Sequence, residues 1–268
     1  KSYIACTILE DKVEPILSNT RIIKEKKVRI QVCCLVIAIV AAGLVKAADS
    51  NQNVREVLEK IFPSESVESV KTMPMGNFFE VKLSGEIVYV TKDGRYLFQG
   101  ELLDLVKKTN LTQTARAQTR KEEFQKLDQN SLISFGRKNI NDTGNIYVYT
   151  DIDCGYCRKF HLEVPALNGA GITVHYLAYP RAGLKSDSYY KAVNVWCAAN
   201  KEKALSKAKA GEKIATRKCA SPVADHFALG QSMKLAGTPA VYSSDGTYLG
   251  AYTPAEQLIA TISGLEKE

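Results

Sequence analysis

The chain has 268 residues, of which 45% are hydrophobic and 24% are charged. This composition excludes a disordered chain, and the length is sufficient for two domains of ordinary size. The formal net charge is +7, but residues 1–47 hold 8 Lys and Arg against 4 Asp and Glu, so more than half of the excess lies there. No basic patch is interleaved with aromatic residues, and we therefore expect no nucleic-acid partner.

Residues 1–47 are predicted to be a precursor segment that carries a signal peptide. Residues 32–45 form an uncharged apolar run, which follows a cluster of basic residues. The run is short for a membrane span but fits the hydrophobic region of a secretory signal. Small or apolar groups at Val45-Lys46-Ala47 predict cleavage near Ala47 and export of the mature chain. An uncleaved membrane anchor is the alternative.

Residues 48–111 are predicted to form a small domain in which one helix packs on an antiparallel sheet. Apolar residues alternate at period two from residue 67 to residue 89, between Gly-containing turns. So small a unit buries little core alone, and we expect it to dimerise through an edge strand around Arg95 to Gly100. A monomeric accessory domain is the alternative. The helix is predicted from the spacing of Val54, Val57, Leu58, Ile61 and Phe62, with Ser50 or Asn51 as its N-cap.

Residues 112–129 are polar and rich in helix-forming residues, interrupted only by Phe124 and Leu127. A helix that is polar nearly all round is commonly a solvated spacer between domains. We therefore predict a linker helix here.

Residues 130–268 are predicted to form an α/β domain. A strand at 146–149 is followed by a helix to about Leu167 and a second strand at 171–178, an order that implies a parallel pair. A long, mostly helical stretch then separates these elements from the carboxyl-terminal part of the domain. That part is predicted to contain strands at 237–242 and 247–252 and a helix at 254–265.

Cys154 and Cys157 lie where the first helix of this domain begins. The free N–H groups and the positive dipole end of a helix favour a thiolate over a thiol. We therefore predict that Cys154 is the attacking thiolate and that Cys157, one turn along, is the resolving thiol. Arg158 and Lys159 either favour the thiolate as well or are simply solvated.

Four of the 7 cysteines follow the precursor segment, and an even number is typical of a chain that works in an oxidising compartment. Cys197 and Cys219 enclose a polar stretch, and they form either a structural disulfide or a second reactive pair. A zinc site at Cys154 and Cys157 would need two further ligands. The other cysteines have no Cys-x-x-Cys partner, and the histidines, His161, His175 and His226, show no ligand spacing, so no metal is predicted.

The motifs of the second half together resemble the DsbC/DsbG family of periplasmic thiol:disulfide interchange proteins. The resemblance runs from about Ser50 to the carboxyl terminus and is strongest after Gly144. The motifs that carry it are Cys154-Gly155-Tyr156-Cys157, Gly237-Thr238-Pro239-Ala240, the run from Ala224 to Gly230 and the run from Tyr176 to Arg181.

The resemblance implies an α+β protein with a dimerisation domain, a helical linker and a thioredoxin-like domain with a helical insertion. It implies a homodimer that holds misfolded, disulfide-containing client proteins, and a structural disulfide between Cys197 and Cys219. It also implies that a DsbD-type membrane reductase, rather than an electron cofactor, keeps the dithiol reduced.

Thr238-Pro239 lies where the thioredoxin family carries a cis proline. In that conformation Thr238 offers its backbone to an extended client chain, and Gly155 and Tyr156 are further predicted substrate-contacting residues. An ordinary trans proline is the alternative. Thioredoxin carries a buried acid where this chain has Val148, a departure that argues against a dedicated reductant.

We therefore predict a disulfide isomerase or reductase with additional chaperone activity. A DsbG-like or DsbA-like oxidoreductase and a holdase chaperone are the alternatives.

Overall fold

The computed structural model describes residues 51–136 and 144–265 of the chain. The predicted signal peptide, its cleavage site and the Ser50 cap therefore lie outside the described residues. Within these two ranges, no helix combines the length and the apolar character that crossing a membrane requires.

The first part of the described chain is a helix packed on an antiparallel sheet, as predicted. Helix α1 spans residues 51–61, and its Val54 and Leu58 are buried against the sheet. Ile61 was predicted to face inward but is 60% exposed, because the helix ends there. The sheet has the order β1-β2-β3-β4, and a separate hairpin pairs β5 with β6. The strands are β1 (Val67–Thr72), β2 (Phe78–Leu83), β3 (Glu86–Thr91), β4 (Leu97–Phe98), β5 (Leu103–Asp104) and β6 (Thr109–Asn110).

Helix α2 (Leu111–Lys126) is the predicted linker helix, and it packs on both of its neighbours. Near its start, Thr112 is buried and its hydroxyl lies 2.7 Å from the hydroxyl of Tyr89 in β3. Near its end, Phe124 is 1% exposed and stacks on Tyr147, with 4.3 Å between the ring centroids. The helix is therefore not solvated at these two positions, of which Phe124 had been singled out from sequence as an interruption of the polar pattern.

The rest of the described chain forms a five-stranded sheet with helices on both faces. Its order is β11-β10-β8-β9-β7, with β8 and β9 parallel and β10 antiparallel to β8, as predicted for a thioredoxin-like domain. The edge strand β7, which pairs with β9, was not predicted. The strands are β7 (Ile133–Phe135), β8 (Asn145–Thr150), β9 (Thr173–Ala178), β10 (Ala240–Ser243) and β11 (Tyr248–Gly250).

Strand β8 divides the core because its side chains alternate between the two faces of the sheet. Ile146 and Val148 belong to the larger cluster, which α3 (Gly155–Gly169) and α7 (Ala255–Leu265) help to cover. Tyr147 and Tyr149 belong to an aromatic cluster that includes Phe124 of α2. The linker helix thus completes the second face of this sheet.

The predicted helical insertion is divided into three helices. They are α4 (Asp187–Trp196), α5 (Lys201–Lys209) and α6 (Val223–Ser232). Residues 212–218 carry neither helix nor strand, which is consistent with the prediction of a long, mostly helical stretch. Cys197 and Cys219 form a disulfide with 5.7 Å between their Cα atoms, which confirms the predicted pairing.

Candidate active site

Cys154 is the N-cap of helix α3. Its sulfur accepts a hydrogen bond from the backbone N–H of Cys157 at 3.4 Å, so a side-chain sulfur takes the place that a Ser or Asp oxygen usually occupies. Strand β8 and the short turn after it bring Cys154 to this position. Both cysteines are free thiols, and they are 2% and 1% exposed, respectively.

The loop before β10 lies against Cys154. The Thr238-Pro239 peptide bond is cis, which agrees with the resemblance and excludes the trans alternative. The Cys154 thiol donates a hydrogen bond to the carbonyl oxygen of Thr238 at 3.2 Å. The hydroxyl of Thr238 is also buried and has no hydrogen-bond partner among the described residues. This loop thus presents backbone and side-chain polar atoms beside the dithiol.

The two thiols differ in how readily they ionise. Burial raises the pKa of Cys154, but the side-chain hydroxyl of Thr238, the N–H of Cys157 and the charge of Arg181 together hold that pKa below its usual value. Burial also raises the pKa of Cys157, and here the groups that lower it do not offset the effect of burial. Cys154 is therefore the thiol that ionises first.

Arg181 is the cation that acts on Cys154, and its position depends on a buried carboxylate. Asp151 is 3% exposed and accepts from both the backbone N–H and the Nε of Arg181, at 3.0 and 3.2 Å. Arg181 ends the run from Tyr176 that carries the family resemblance, but neither residue was given a role from sequence. Because Asp151 follows β8 and Arg181 follows β9, their pairing becomes apparent only when the parallel sheet is known.

The two basic residues considered from sequence have other partners. Arg158 donates to the backbone oxygen of Ile152 at 3.1 Å and lies 3.4 Å from a carboxylate oxygen of Asp153. The ammonium of Lys159 lies over the ring of Tyr252, 4.5 Å from its centroid. The structure therefore favours Arg181 over these residues as the charge that stabilises a Cys154 thiolate.

The two residues between the cysteines face outward. Tyr156 is 65% exposed, and its ring lies 6.1 Å from that of Tyr252. Gly155 is exposed, and a Cβ placed on it would meet no atom within 4 Å. This open surface is compatible with the predicted contact between these residues and a client chain.

Lys209 is a buried cation near the dithiol that sequence reasoning missed. It is 4% exposed, and its Nζ donates to the hydroxyl of Thr150 and to the backbone oxygen of Asp151, each at 2.7 Å. Its helix reads as polar and rich in Lys. The available signal was its spacing of four residues after Leu205, which places it on the apolar face of α5.

Cys197 and Cys219 are bonded to each other, at the end of α4 and before α6, so they contribute no free thiol to the site. In the part of the chain that the structure describes, no group of three or more His, Cys, Asp or Glu side chains is arranged to hold a metal ion. The arrangement of Cys154, Cys157 and the cis-proline loop is chemically suited to thiol-disulfide exchange, with one easily ionised thiol and a second thiol able to attack it.

Each of the two parts of the chain matches a known protein family. The Disulfide bond isomerase protein N-terminal domain family matches residues 45–113, and the Thioredoxin-like domain family matches residues 138–265. The thiol:disulfide interchange protein DsbC of Dickeya dadantii is 34% identical over 72% of this chain and 79% of the relative. The proteins of that name from Escherichia coli K12 and Salmonella typhimurium are both 32% identical, over 81% and 87% of this chain and 88% and 94% of their own lengths.

These relatives are similar to the chain over both of its parts, and the dithiol and the cis proline supply the chemistry that their name describes. The chain belongs to the DsbC family of thiol:disulfide interchange proteins.

Proposed function

We propose that the chain is a disulfide isomerase in which Cys154 and Cys157 rearrange wrong disulfides in exported client proteins. The observation that carries this proposal is the position of the Cys154 sulfur, at a helix N-terminus and 3.2 Å from the carbonyl oxygen that precedes a cis proline. One side of the sulfur is thus activated by the helix, while the other adjoins a backbone segment that can hold a peptide.

The Cys154 thiolate attacks one sulfur of a client disulfide, forms a mixed disulfide and releases the other client sulfur as a thiolate. A client thiolate then attacks its own sulfur in the mixed disulfide, which completes a new client disulfide and releases Cys154. If the client stalls, the Cys157 thiolate attacks the sulfur of Cys154, and the client leaves reduced. A lowered pKa helps Cys154 to leave, at some cost in nucleophilicity.

A cavity of about 660 Å³ beside the cis-proline loop supports a binding site for an extended client chain. Gly237, Thr238 and Pro239 line it on one side, while charged residues of α2 and of the β2–β3 hairpin line it on the other. We propose that the client main chain pairs with the backbone of Thr238, as an added strand pairs with a sheet edge. Side chains of the client then lie in the cavity.

A scrambled multi-disulfide protein tests the function. Wild-type chain should restore its native disulfides, whereas Cys154→Ala should not, because the attacking sulfur is lost. Equal recovery with both proteins would contradict the isomerase proposal and leave a holdase. The thiol state in trapped cell extracts separates the remaining alternatives, since mostly reduced Cys154 and Cys157 support an isomerase and mostly oxidised cysteines support a DsbA-like oxidase.

We also propose that residues 48–111 form a dimerisation domain, joined by residues 112–129 to a catalytic domain of residues 130–268. The support is an exposed apolar surface on β4, β5 and the turn after β5, where Val106 is 93% exposed and Leu105 is 85% exposed. Apolar side chains this exposed on a small domain are typical of an interface, and a second copy would cover them. The residues of this exposed apolar surface are Tyr96, Leu97, Phe98, Leu103, Leu105 and Val106.

Sedimentation tests this dimer. The wild-type chain should sediment as a dimer at micromolar concentration, and Val106→Asp should weaken the dimer because it buries a charge in the interface. Lys92→Asp, an exposed substitution outside this surface, serves as the control. A wild-type chain that sediments as a monomer would overturn the proposal.

We propose that the protein works in the periplasm and that a DsbD-type membrane reductase keeps its dithiol reduced. The support for export is the apolar run after basic residues, together with a structural disulfide, which persists only in an oxidising compartment. Amino-terminal sequencing of the exported protein should give a start near Ala48, and a start well before Lys46 would contradict the predicted cleavage. Oxidised Cys154 and Cys157 in cells without such a reductase would support that partner.

A further inference from the structure

Lys209 is buried where its charge receives little compensation. It lies at the end of α5 and is 4% exposed, and both acceptors of its Nζ, the Thr150 hydroxyl and the Asp151 backbone oxygen, are uncharged. Among the described residues it forms no salt bridge. A buried ammonium without a carboxylate partner costs folding free energy, so its presence calls for a role other than stability.

One acceptor of Lys209, the Thr150 hydroxyl, is also a group that adjoins Cys157. Burial has the largest effect on the pKa of Cys157 and raises it. The charge of Lys209, the backbone at Asp151 and the Thr150 side chain each lower that pKa. The Thr150 hydroxyl accepts the hydrogen bond from Lys209, and its own proton is thereby left to point at another acceptor. Cys157, Thr150 and Lys209 thus form one polar cluster, which includes the buried thiol of the dithiol.

The other charged and titratable groups that influence Lys209 are Asp151 and Cys154, which favour its charged form, and Arg158, which disfavours it. On α3, His161 is also close enough for the Lys209 charge to affect it, but burial holds its pKa at about 4, so it stays neutral near pH 7. Burial lowers the pKa of Lys209 itself to about 8. At neutral pH the cluster therefore carries a positive charge next to Cys157.

We propose that Lys209 is a positioning residue for the resolving step, in which its ammonium, with the Thr150 hydroxyl, stabilises the thiolate of Cys157. The proposal rests on the proposed function, because it concerns the step that follows attack by Cys154. The Cys157 thiol first loses its proton to water. Its thiolate then forms a bond with the Cys154 sulfur while the bond between Cys154 and the client sulfur breaks, and the client leaves as a thiolate that takes a proton from water.

The test begins with a direct measurement on Cys157. In a Cys154→Ala background, the rate of alkylation of Cys157 at pH 7 reports its thiolate fraction with and without Lys209→Met, a replacement that fills a similar volume without charge. We expect Lys209→Met to slow this alkylation about threefold, because Lys209 carries its charge at pH 7 and favours the thiolate there. Lys207→Met is the matched control on the same helix, since the Lys207 side chain is 47% exposed and pairs with Glu212.

The second measurement uses glutathione disulfide with the otherwise wild-type dithiol. The first kinetic phase reports attack by Cys154, and the second reports resolution by Cys157. At pH 7, Lys209→Met should slow the second phase about threefold, because loss of the charge beside Cys157 lowers its thiolate fraction about tenfold and raises the nucleophilicity of the remaining thiolate about threefold. The difference should disappear above about pH 8, where Lys209 loses its charge.

An unchanged alkylation rate of Cys157 at pH 7 together with an unchanged second phase, in a folded Lys209→Met protein, would overturn the proposal. If Lys209→Met does not fold, Thr150→Val and Thr150→Ser provide the test. We expect the Val variant to slow resolution and the Ser variant to preserve it, and equal rates would also refute the cluster. A wild-type chain with no first phase would instead contradict the function proposed for Cys154.

Discussion

Removal of the Cys197–Cys219 disulfide should destabilise the protein without abolishing thiol exchange. The two cysteines are separated by 22 positions, and closing a loop of this length lowers the entropy of the unfolded chain by an amount worth about 3 kcal/mol. We expect removal of the disulfide to cost this full amount of stability, because residues 212–218 have no helix or strand of their own to hold that part of the loop in place. For a chain of this size the melting temperature should fall by roughly 10 °C.

Urea denaturation of Cys197→Ala/Cys219→Ala measures this loss. The comparison is made in a Cys154→Ala/Cys157→Ala background, which prevents thiol exchange during unfolding and serves as the parent control. A loss below about 1 kcal/mol would refute the loop-entropy reasoning. Retained folding with abolished exchange in the Cys197→Ala/Cys219→Ala variant that keeps the dithiol would instead identify a second reactive pair.

Three further substitutions test the site and its support. Lys209→Met should be more stable than wild type at pH 7 by up to about 3 kcal/mol, the equivalent of lowering a lysine pKa from 10.5 to about 8. The difference should shrink between pH 8 and 10.5, because the unfolded wild-type chain binds more protons there and the stability of wild type therefore rises with pH; urea denaturation across this range measures it. Phe124→Ala should cost about 3 to 5 kcal/mol in the same assay, because Phe124 is 1% exposed. Thr238→Val should raise the pKa of Cys154, measured from the pH dependence of its alkylation, because it removes the Thr238 hydroxyl, which lowers that pKa.

Each of these substitutions has a matched control. Gln125→Ala, at an exposed position on the helix that carries Phe124, should leave the stability unchanged. Thr238→Ser keeps the hydroxyl and should keep the pKa of Cys154 near that of wild type. A Lys209→Met protein less stable than wild type at pH 7 would show that the buried charge is compensated. Equal alkylation profiles for the Thr238→Ser and Thr238→Val variants would show that the Thr238 hydroxyl does not affect the pKa of Cys154.

The sequence was sufficient to predict the dithiol and the strands around it. Cys154 at a helix N-terminus follows from local spacing, and the parallel pairing of β8 with β9 follows from the strand-helix-strand order. Strand β7 is only three residues long, too short for an alternating pattern to identify. Lys209 was missed because lysine is rarely buried, and its position depends on how α5 packs against α3, α4 and β7.

Assigning charges near Cys154 required the tertiary structure. Arg158 and Lys159 are close to the cysteine in sequence, yet Arg181 is the residue whose charge lowers its pKa. Arg181 is distant in sequence and reaches the site because β8 and β9 end at the same edge of the sheet. Sequence proximity is therefore a poor guide to electrostatic partners in a parallel sheet.

The packing of Phe124 has a consequence for any attempt to excise the catalytic part of the chain. The thioredoxin-like family match begins at residue 138, so a truncation guided by that boundary removes α2. The shortened protein would expose the rings of Tyr147 and Tyr242, which lie 4.3 and 5.8 Å from that of Phe124, and we expect it to aggregate. A fragment that begins at Leu111 retains the helix and keeps both rings covered, so we expect it to stay in solution under conditions where the shorter fragment aggregates.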